Sequence, residues 1–166
     1  MLEFFRKRMT DDRGFTLIEL MVVVLIIAIL IAIAIPTFLG LRRRAQDRAA
    51  QSDLRNALTA AKAQYADDEH YGNTGPTALA AIEPSLVFTT AASATTNDFA
   101  VSVAVGPNND GTALQEFGAA RMSASGTCFG ISDVGSDSQP ADAGTWYGTP
   151  GTCTGTAALG VTARSW

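Results

Sequence analysis

The chain has 166 residues, which is enough for one membrane segment and one modest domain. Its net charge of −4 is unevenly divided, because residues 1–62 carry ten Lys and Arg against six Asp and Glu, whereas residues 63–166 carry two against ten. Nucleic acid is therefore not an expected partner of the second part, since phosphate binding needs clustered cations.

A polar leader at residues 1–14 precedes a strongly apolar stretch at residues 15–35. A helix of about 20 apolar residues spans the hydrocarbon core of a bilayer. The rest of the chain is too small and polar to bury this stretch as a core helix. Its length and the lack of a small-x-small cleavage site argue against a removed secretory signal. The stretch predicts a transmembrane helix, and a plain signal anchor remains an alternative.

One carboxylate, Glu19, interrupts the apolar stretch, and Pro36 follows it directly. A charged group inside an apolar span is costly, so Glu19 is a candidate functional residue. The simpler alternative is that Glu19 lies near the end of the span and is solvated there by lipid headgroups. Pro36 removes a helical hydrogen bond, so it predicts a kink or a helix boundary.

Residues 37–70 show the spacing of an amphipathic helix. The apolar stripe of this stem consists of Leu41, Ala45, Ala49, Leu54, Leu58, Ala61 and Tyr65. Arg43 and Asp47 lie one turn apart on the polar side, where opposite charges pair. A stripe of this kind needs a cover, which we expect residues 71–166 to provide.

Residues 71–166 change to the period-two pattern of strands. The segments predicted to be extended are residues 86–89, 99–105, 117–123 and 127–134, the last two forming a hairpin around Ser125 and Gly126. A short helical turn is expected at residues 76–82, and residues 135–155 are expected to be irregular. The predicted fold class is α+β, with a long N-terminal helix packed against a small antiparallel sheet.

The two cysteines, Cys128 and Cys153, both lie in residues 71–166, which we call the head. They would form a disulfide if the head lies outside the cytoplasm, and they would stay unrelated thiols in a cytosolic protein.

Other polar groups predict no catalytic, cofactor or metal site, so an enzyme is not expected. His70 fits a solvated helix end, and Asp133, Asp137 and Asp142 match no tight calcium spacing. The run Arg42, Arg43 and Arg44 fits an exposed turn at a membrane edge. No phosphate loop or nucleophile motif is present in the sequence.

The order Gly14-Phe15-Thr16-Leu17-Ile18-Glu19, apolar run and Pro36 resembles the processing motif of type IV prepilins, whose wider family includes type II secretion pseudopilins. The resemblance covers about the first third of the chain. It implies cleavage between Gly14 and Phe15 by a prepilin peptidase, which also methylates the new terminus at Phe15. It implies that Glu19 recruits a neighbouring subunit through that terminus, and that Pro36 is a kink.

The predicted organisation is a leader at residues 1–14, a transmembrane and filament-core helix at 15–36, a stem helix at 37–70 and a head at 71–166. The implied function is a structural subunit of a surface filament, with a secretion pseudopilin and an uncleaved anchored binding domain as alternatives. The implied partners are other copies in a homo-oligomeric helical filament, the peptidase, a membrane assembly platform and the bilayer before assembly.

The family places the prepilin in the inner membrane as a single-pass protein with its head outside, and the assembled subunit in a pilus on the cell surface. Arg42, Arg43, Arg44 and Arg48 follow the apolar stretch, and their charge alone favours the opposite orientation. Adhesion, motility and DNA uptake are all compatible with the implied filament, in which the chain would be either a major or a minor subunit.

Overall fold

The computed structural model describes residues 14–90, 99–107, 115–135 and 143–166. The chain divides into two compact units, Met1–Leu41 and Arg42–Trp166. The boundary lies inside the first helix, α1, which runs from Leu17 to Asp68. Each unit is described separately below.

The first unit contains the apolar part of α1, whose large side chains are exposed from Leu17 to Leu41. Leu, Met and Ala favour a helix here, and the β-branched Ile and Val lower the helix propensity only slightly, through restricted χ1 rotation. Within the described residues, α1 is the one helix long and apolar enough to cross a membrane.

The helix is assigned without interruption through Pro36. Proline offers no amide hydrogen, so one carbonyl in the preceding turn loses its usual donor. The Thr37 hydroxyl, one residue later, donates to the carbonyls of Ile33 at 3.2 Å and Ala34 at 2.8 Å. Thr37 therefore adds a side-chain hydrogen bond where the helical ladder is weakest. The kink predicted at Pro36 stays a prediction.

The second unit is built around the remaining part of α1. The residues of this part that are buried are Ala50, Leu54, Ala57, Leu58, Ala60 and Ala61. Leu54, Leu58 and Ala61 belong to the predicted apolar stripe, whereas Leu41, Ala45 and Ala49 remain exposed. The small alanines allow the sheet to approach the helix closely.

The first helix ends at Asp68, two residues before the predicted limit of residue 70. Glu69 has a φ of 59°, in the left-handed region that stops a helix. The Asp68 carboxylate accepts from the side chains of Gln64 at 2.7 Å and Asn73 at 2.9 Å. The hydrogen bond from Asn73, followed by that from Gln64, lowers the pKa of Asp68.

A five-stranded sheet follows, with the strands in chain order β1 to β5. The short helix α2 at Pro76–Ile82 confirms the predicted turn, and Pro76 occupies its first position. The strands are β1 Phe88–Thr90, β2 Val101–Gly106, β3 Glu116–Met122, β4 Cys128–Val134 and β5 Gly144–Gly148.

The sheet is mixed. Strands β2 to β5 are antiparallel to their neighbours, whereas β1 pairs with β2 in parallel, with Phe88 opposite Val101. The predicted sheet was wholly antiparallel. Residues 91–100 connect β1 to β2, and they are too many for the two-residue turn that would signal an antiparallel hairpin.

The predicted hairpin is present between β3 and β4. Met122 pairs with Cys128, and Gly126 has a φ of 91° in the intervening turn. A positive φ of this kind costs little only for a residue without a Cβ. The Ser123 amide donates to the Thr127 carbonyl at 2.8 Å, which closes the turn.

The segment predicted to be irregular, residues 135–155, contains β5, and a short helix, α3, begins at its last residue and runs over Gly155–Ala158. Helix α3 lies against β2, and the Gly155 amide donates to the Ser102 hydroxyl at 2.9 Å. Ser102 is fully buried, although it alternates with Val101 and Val103 and therefore faces the opposite side of the strand. Both faces of β2 are therefore covered, one by α1 and the other by α3.

The core of the second unit joins the helix to the sheet. Its buried members are Ala50, Leu54, Ala57, Leu58, Ala60, Ala61, Tyr71, Leu79, Val101, Val103, Phe117, Ala119, Phe129 and Ile131. Removing these side chains from water supplies the main stabilisation, at about 25 cal/mol per Å² of apolar surface. The confirmed fold class is thus α+β, with the small sheet packed on the helix.

Candidate functional site

The candidate site is the start of α1, where Thr16 and Glu19 cap the helix reciprocally. The Thr16 amide donates to Oε2 of Glu19 at 3.0 Å, and the Thr16 hydroxyl donates to the same oxygen at 2.7 Å. The Glu19 amide lies 3.3 Å from the Thr16 hydroxyl oxygen, which accepts from it. This arrangement is a capping box, formed by Thr at the N-cap and Glu three residues later.

The capping box gives Glu19 hydrogen-bond partners in its own first turn. A carboxylate in the first turn also lies favourably toward the positive end of the helix dipole. The spacing Thr-x-x-Glu before an apolar run is a recognised start signal, yet sequence reasoning interpreted Glu19 only through its charge. The cap was the feature that was missed, and Thr16 was the residue that could have revealed it.

Gly14 and Phe15 lie immediately before the cap, and both are exposed. Phe15 has 77% of its surface accessible. A Cβ added to Gly14 would meet no atom within 4 Å. The local structure therefore does not require glycine at position 14.

Of the three residues of the predicted processing motif, Glu19 lies in the first turn of α1, and Gly14 and Phe15 lie immediately before that helix. Pro36 lies farther along the same helix, and the two cysteines belong to the second unit. Glu19, one turn from Phe15, is placed near any amine that cleavage before Phe15 would create. A carboxylate at that distance can pair with an amine of its own chain or of another copy.

A second polar cluster surrounds Asp133, which is 4% exposed on β4. Its Oδ2 accepts from the Tyr71 hydroxyl at 2.6 Å, and its Oδ1 accepts from Thr145 at 2.5 Å. Lys62 Nζ lies 2.8 Å from the same Oδ1. Burial, followed by the hydrogen bond to Asp133, raises the pKa of Tyr71.

The Asp133 cluster borders a cavity of about 490 Å³ lined by Lys62, Tyr65, Tyr71, Val134, Ala143 and Gly144 among others. Each polar atom of the Asp133 carboxylate already has a partner, so the cluster fastens α1 to β4 and β5. Asp137 and Asp142, which were weighed with Asp133 as calcium ligands, lie outside the described residues. Among the described residues, no three His, Cys, Asp or Glu side chains gather as a metal site would require.

Cys128 and Cys153 form a disulfide that joins the start of β4 to the segment before α3. The bond closes a loop with a sequence separation of 25. The Nδ1 atom of His70 accepts from the Gly72 amide at 2.9 Å, so this histidine stabilises the turn after α1.

Residues 9–35 match the family model of the prokaryotic N-terminal methylation motif. The match contains Gly14, Phe15, Thr16 and Glu19. The N-terminal segment thus has the prepilin motif of type IV pilins and pseudopilins.

Three curated proteins are similar to part of the chain. The type IV major pilin protein PilA of Myxococcus xanthus is 45% identical over 62 residues, which are 37% of this chain and 28% of that protein. The type IV wide pilus major component PilA4 of Thermus thermophilus is 41% identical over 63 residues, 38% of this chain and 48% of that protein. The type II secretion system core protein G of Escherichia coli is 42% identical over 71 residues, 40% of this chain and 47% of that protein.

The matched regions thus cover less than half of each relative. No solved structure matches the chain significantly. The similarity therefore covers only part of this chain and only part of each relative.

Proposed function

We propose that this chain is a structural subunit of a type IV pilus-like filament, made as a prepilin and polymerised through α1. The observation that carries the proposal is the methylation motif at residues 9–35, with Glu19 as the one charged residue in an otherwise apolar, exposed helix start. The similarity to two major pilus components supports it. The expected role is structural, with no catalytic step performed by the chain.

Processing would occur between Gly14 and Phe15, followed by methylation of the Phe15 nitrogen. The local fold leaves Gly14 exposed and gives no steric reason for a glycine there. A peptidase that needs close approach to the backbone supplies such a reason, because glycine presents no side chain. We therefore infer that the identity of residue 14 is set by a partner and not by folding.

Before assembly, residues 15–36 would lie in the inner membrane with the head outside the cytoplasm. The length and apolar surface of α1 support the membrane segment. The disulfide between Cys128 and Cys153 supports an oxidising location for the head. After assembly, the same apolar side chains would be covered by those of other copies, with the heads outside on the cell surface.

In the filament, Glu19 would pair with the methylated amine of Phe15 in a neighbouring copy. An amine at the apolar end of a packed helix is expensive to bury without a counter-charge. Glu19 is the charge of opposite sign nearest to that terminus in the described chain. Pairing between copies would thus set the register of each incoming subunit.

The first test is the intact mass of filaments sheared from cells. The mature subunit is expected to lack residues 1–14 and to carry one methyl group. Glu19→Ala should keep processing and membrane insertion while lowering the filament yield strongly. Full-length mass in surface material would contradict the proposal and would favour an uncleaved membrane-anchored domain.

A second candidate function is a pseudopilin of a type II secretion system, favoured by the similarity to core protein G. Processing and Glu19 would serve the same roles in a pilus subunit and in a pseudopilin. Deleting the gene that encodes the chain distinguishes the two functions. Loss of long surface filaments indicates a pilus subunit, whereas loss of protein export with the filaments unchanged indicates a pseudopilin.

A further inference from the structure

We infer that the exposed arginines of the stem, Arg42, Arg43, Arg44 and Arg48, bind Asp67 and Glu69 of a second copy of this chain. The inference rests on the proposed function, because a filament is the state that holds many copies in a fixed register. It adds a contact between copies that is remote from Glu19, and it assigns the residues on each side of that contact.

The first observation concerns the cations of the second unit. Lys62 pairs with Asp133, Arg121 pairs with Asp53, Arg55 lies 5.0 Å from the Trp166 ring centre, and Arg164 lies 3.7 Å from that of Trp146. The remaining described cations are all in the stem arginine cluster, defined as Arg42, Arg43, Arg44 and Arg48. All four are exposed, and no described side chain pairs with them.

The arginine cluster lacks the one internal partner that the sequence predicted. Asp47, one turn after Arg43, accepts hydrogen bonds from the hydroxyls of Ser123 and Ser125 instead. That carboxylate faces the turn between β3 and β4 and is half-buried there. Arg43 is consequently left with its charge unpaired.

The second observation concerns the carboxylates of the same unit. Six of those described accept from or pair with a side chain: Asp47, Asp53, Asp68, Glu83, Glu116 and Asp133. The described carboxylates without such a partner are Asp67 and Glu69, which are exposed at the end of α1. The charged side chains of this unit that have no side-chain partner among the described residues thus form two groups of opposite sign.

The two groups cannot meet within one copy. They are separated by 19 to 27 positions along one helix, which at about 1.5 Å per residue is roughly 30–40 Å. This distance is several times the ~8 Å over which exposed charges interact at physiological salt. A parallel neighbour displaced by about 35 Å along the helix axis would bring the groups together. Because such a head-to-tail contact does not close on itself, it repeats along a filament.

The chain itself favours a second copy over lipid or nucleic acid as the bound anion. Anionic headgroups would satisfy the arginines but would leave Asp67 and Glu69 unpaired. A second copy satisfies both groups in one contact, and the charges match in sign and position. Complementary charges across an interface mainly set register and partner choice.

The test is a charge exchange at one pair, read as the yield of sheared filaments. Arg48→Glu and Glu69→Arg should each lower the yield roughly fivefold, because each places like charges at the contact. The double variant R48E/E69R should return the yield to within about twofold of the unaltered chain. The matched control is R48E/E83R, which has the same net charge and reverses a carboxylate bound to Ser85 alone.

The possible outcomes distinguish a failure of this contact from a failure of the proposed function. Filaments at normal yield in both single variants would overturn the contact while leaving the proposed function standing. Equal yields from R48E/E69R and R48E/E83R would also overturn it. If R48E lost binding to vesicles of anionic phospholipid and E69R restored nothing, the arginines would serve the membrane, and the inference would be wrong. Absence of filaments from the unaltered chain would instead count against the proposed function.

Cross-linking tests the geometry directly and does not depend on yield. Because both native cysteines are paired in the disulfide, an Arg48→Cys/Glu69→Cys variant adds the only free thiols in the chain. Air oxidation of its filaments with a copper catalyst should give a ladder of linked subunits on a non-reducing gel. Arg48→Cys/Glu83→Cys should stay monomeric, and equal ladders from the two variants, or none from the first, would overturn the contact.

Discussion

The Glu19 carboxylate meets hydrogen-bond donors in its own first turn before any partner is present. The Thr16 amide and hydroxyl both reach one of its oxygens. This local cap and the proposed contact with a neighbouring amine use different properties of the same side chain. The cap needs an acceptor oxygen, which an amide also offers, whereas the contact needs a negative charge.

Two substitutions at the cap separate these properties. Glu19→Gln keeps the acceptor and the shape of the side chain, since Gln also serves at this position of a capping box. We expect it to preserve the helix start but to lower the filament yield as strongly as Glu19→Ala does. Thr16→Val removes the hydroxyl while keeping the shape, and it should cost about 1 kcal/mol of capping while retaining assembly.

The filament yield measures the role of the Glu19 charge in assembly, and amide exchange of residues 17–20 in detergent measures the stability of the helix cap. Normal filaments from Glu19→Gln would show that capping is the main role of the residue. Complete loss of filaments from Thr16→Val, with normal processing, would show that the cap is needed for assembly.

Tyr71 and Asp133 form a buried hydrogen bond that fixes the turn after α1 to β4. Tyr71 is 1% exposed and donates to Asp133 at 2.6 Å. Tyr71→Phe leaves the ring in place but removes the donor, so we expect a loss of about 1–3 kcal/mol of unfolding free energy. Denaturant unfolding of the full chain in detergent, followed by fluorescence, measures it, because Trp146 and Trp166 both lie in the second unit.

The control for Tyr71→Phe is Tyr147→Phe. Tyr147 is a half-buried residue whose hydroxyl has no hydrogen bond with the described side chains. Its substitution should change the unfolding free energy by less than about 0.5 kcal/mol. Equal effects from the two substitutions would mean that the buried hydrogen bond contributes little.

Helix α3 and the edge strand β5 were the elements hardest to predict. The hairpin between β3 and β4 follows from alternation and from the turn at Ser125 and Gly126, both of which are local signals. Helix α3 has four residues, too few for periodicity, and β5 contains two glycines that weaken a strand pattern. The position of α3 depends on the close fit of Gly155 against β2, and that of β5 depends on its pairing with β4, so both rest on contacts distant in sequence.

Close packing of α3 on β2 makes Gly155 intolerant of a side chain. An added Cβ would lie 2.4 Å from the Ala104 nitrogen and 2.4 Å from the Val103 carbonyl carbon. Gly155→Ala must therefore displace backbone, and we expect it to cost about 1–3 kcal/mol of unfolding free energy. Thermal unfolding measures the loss.

Gly151→Ala is the matched control in the same segment, because its Cβ would meet no atom within 4 Å. We expect an unchanged melting temperature for that variant. If Gly155→Ala melted at the same temperature as the unaltered chain, α3 would not be held against β2.

Across the whole molecule, the sequence predicts the N-terminal segment in detail and the head only in outline. Residues 14–35 carry a motif, a length and a charge pattern that together support the proposed processing and membrane insertion. The head offers period-two segments, from which its fold class follows but not the parallel pairing of β1. The local spacing Thr-x-x-Glu did signal the cap at Thr16, although it was overlooked. No local signal marked the coverage of Ser102 or the partners of Asp47, because both depend on residues more than 50 positions away.

The most direct measurement of the central claim is the distance between the Phe15 nitrogen and the Glu19 carboxylate in purified filaments at side-chain resolution. The proposed function predicts about 3–4 Å between the nitrogen of one copy and a Glu19 oxygen of its neighbour, the range of a charge-assisted hydrogen bond or ion pair. A separation well beyond that range in every pair of neighbouring copies, with Glu19 still bound only to its own Thr16, would contradict it.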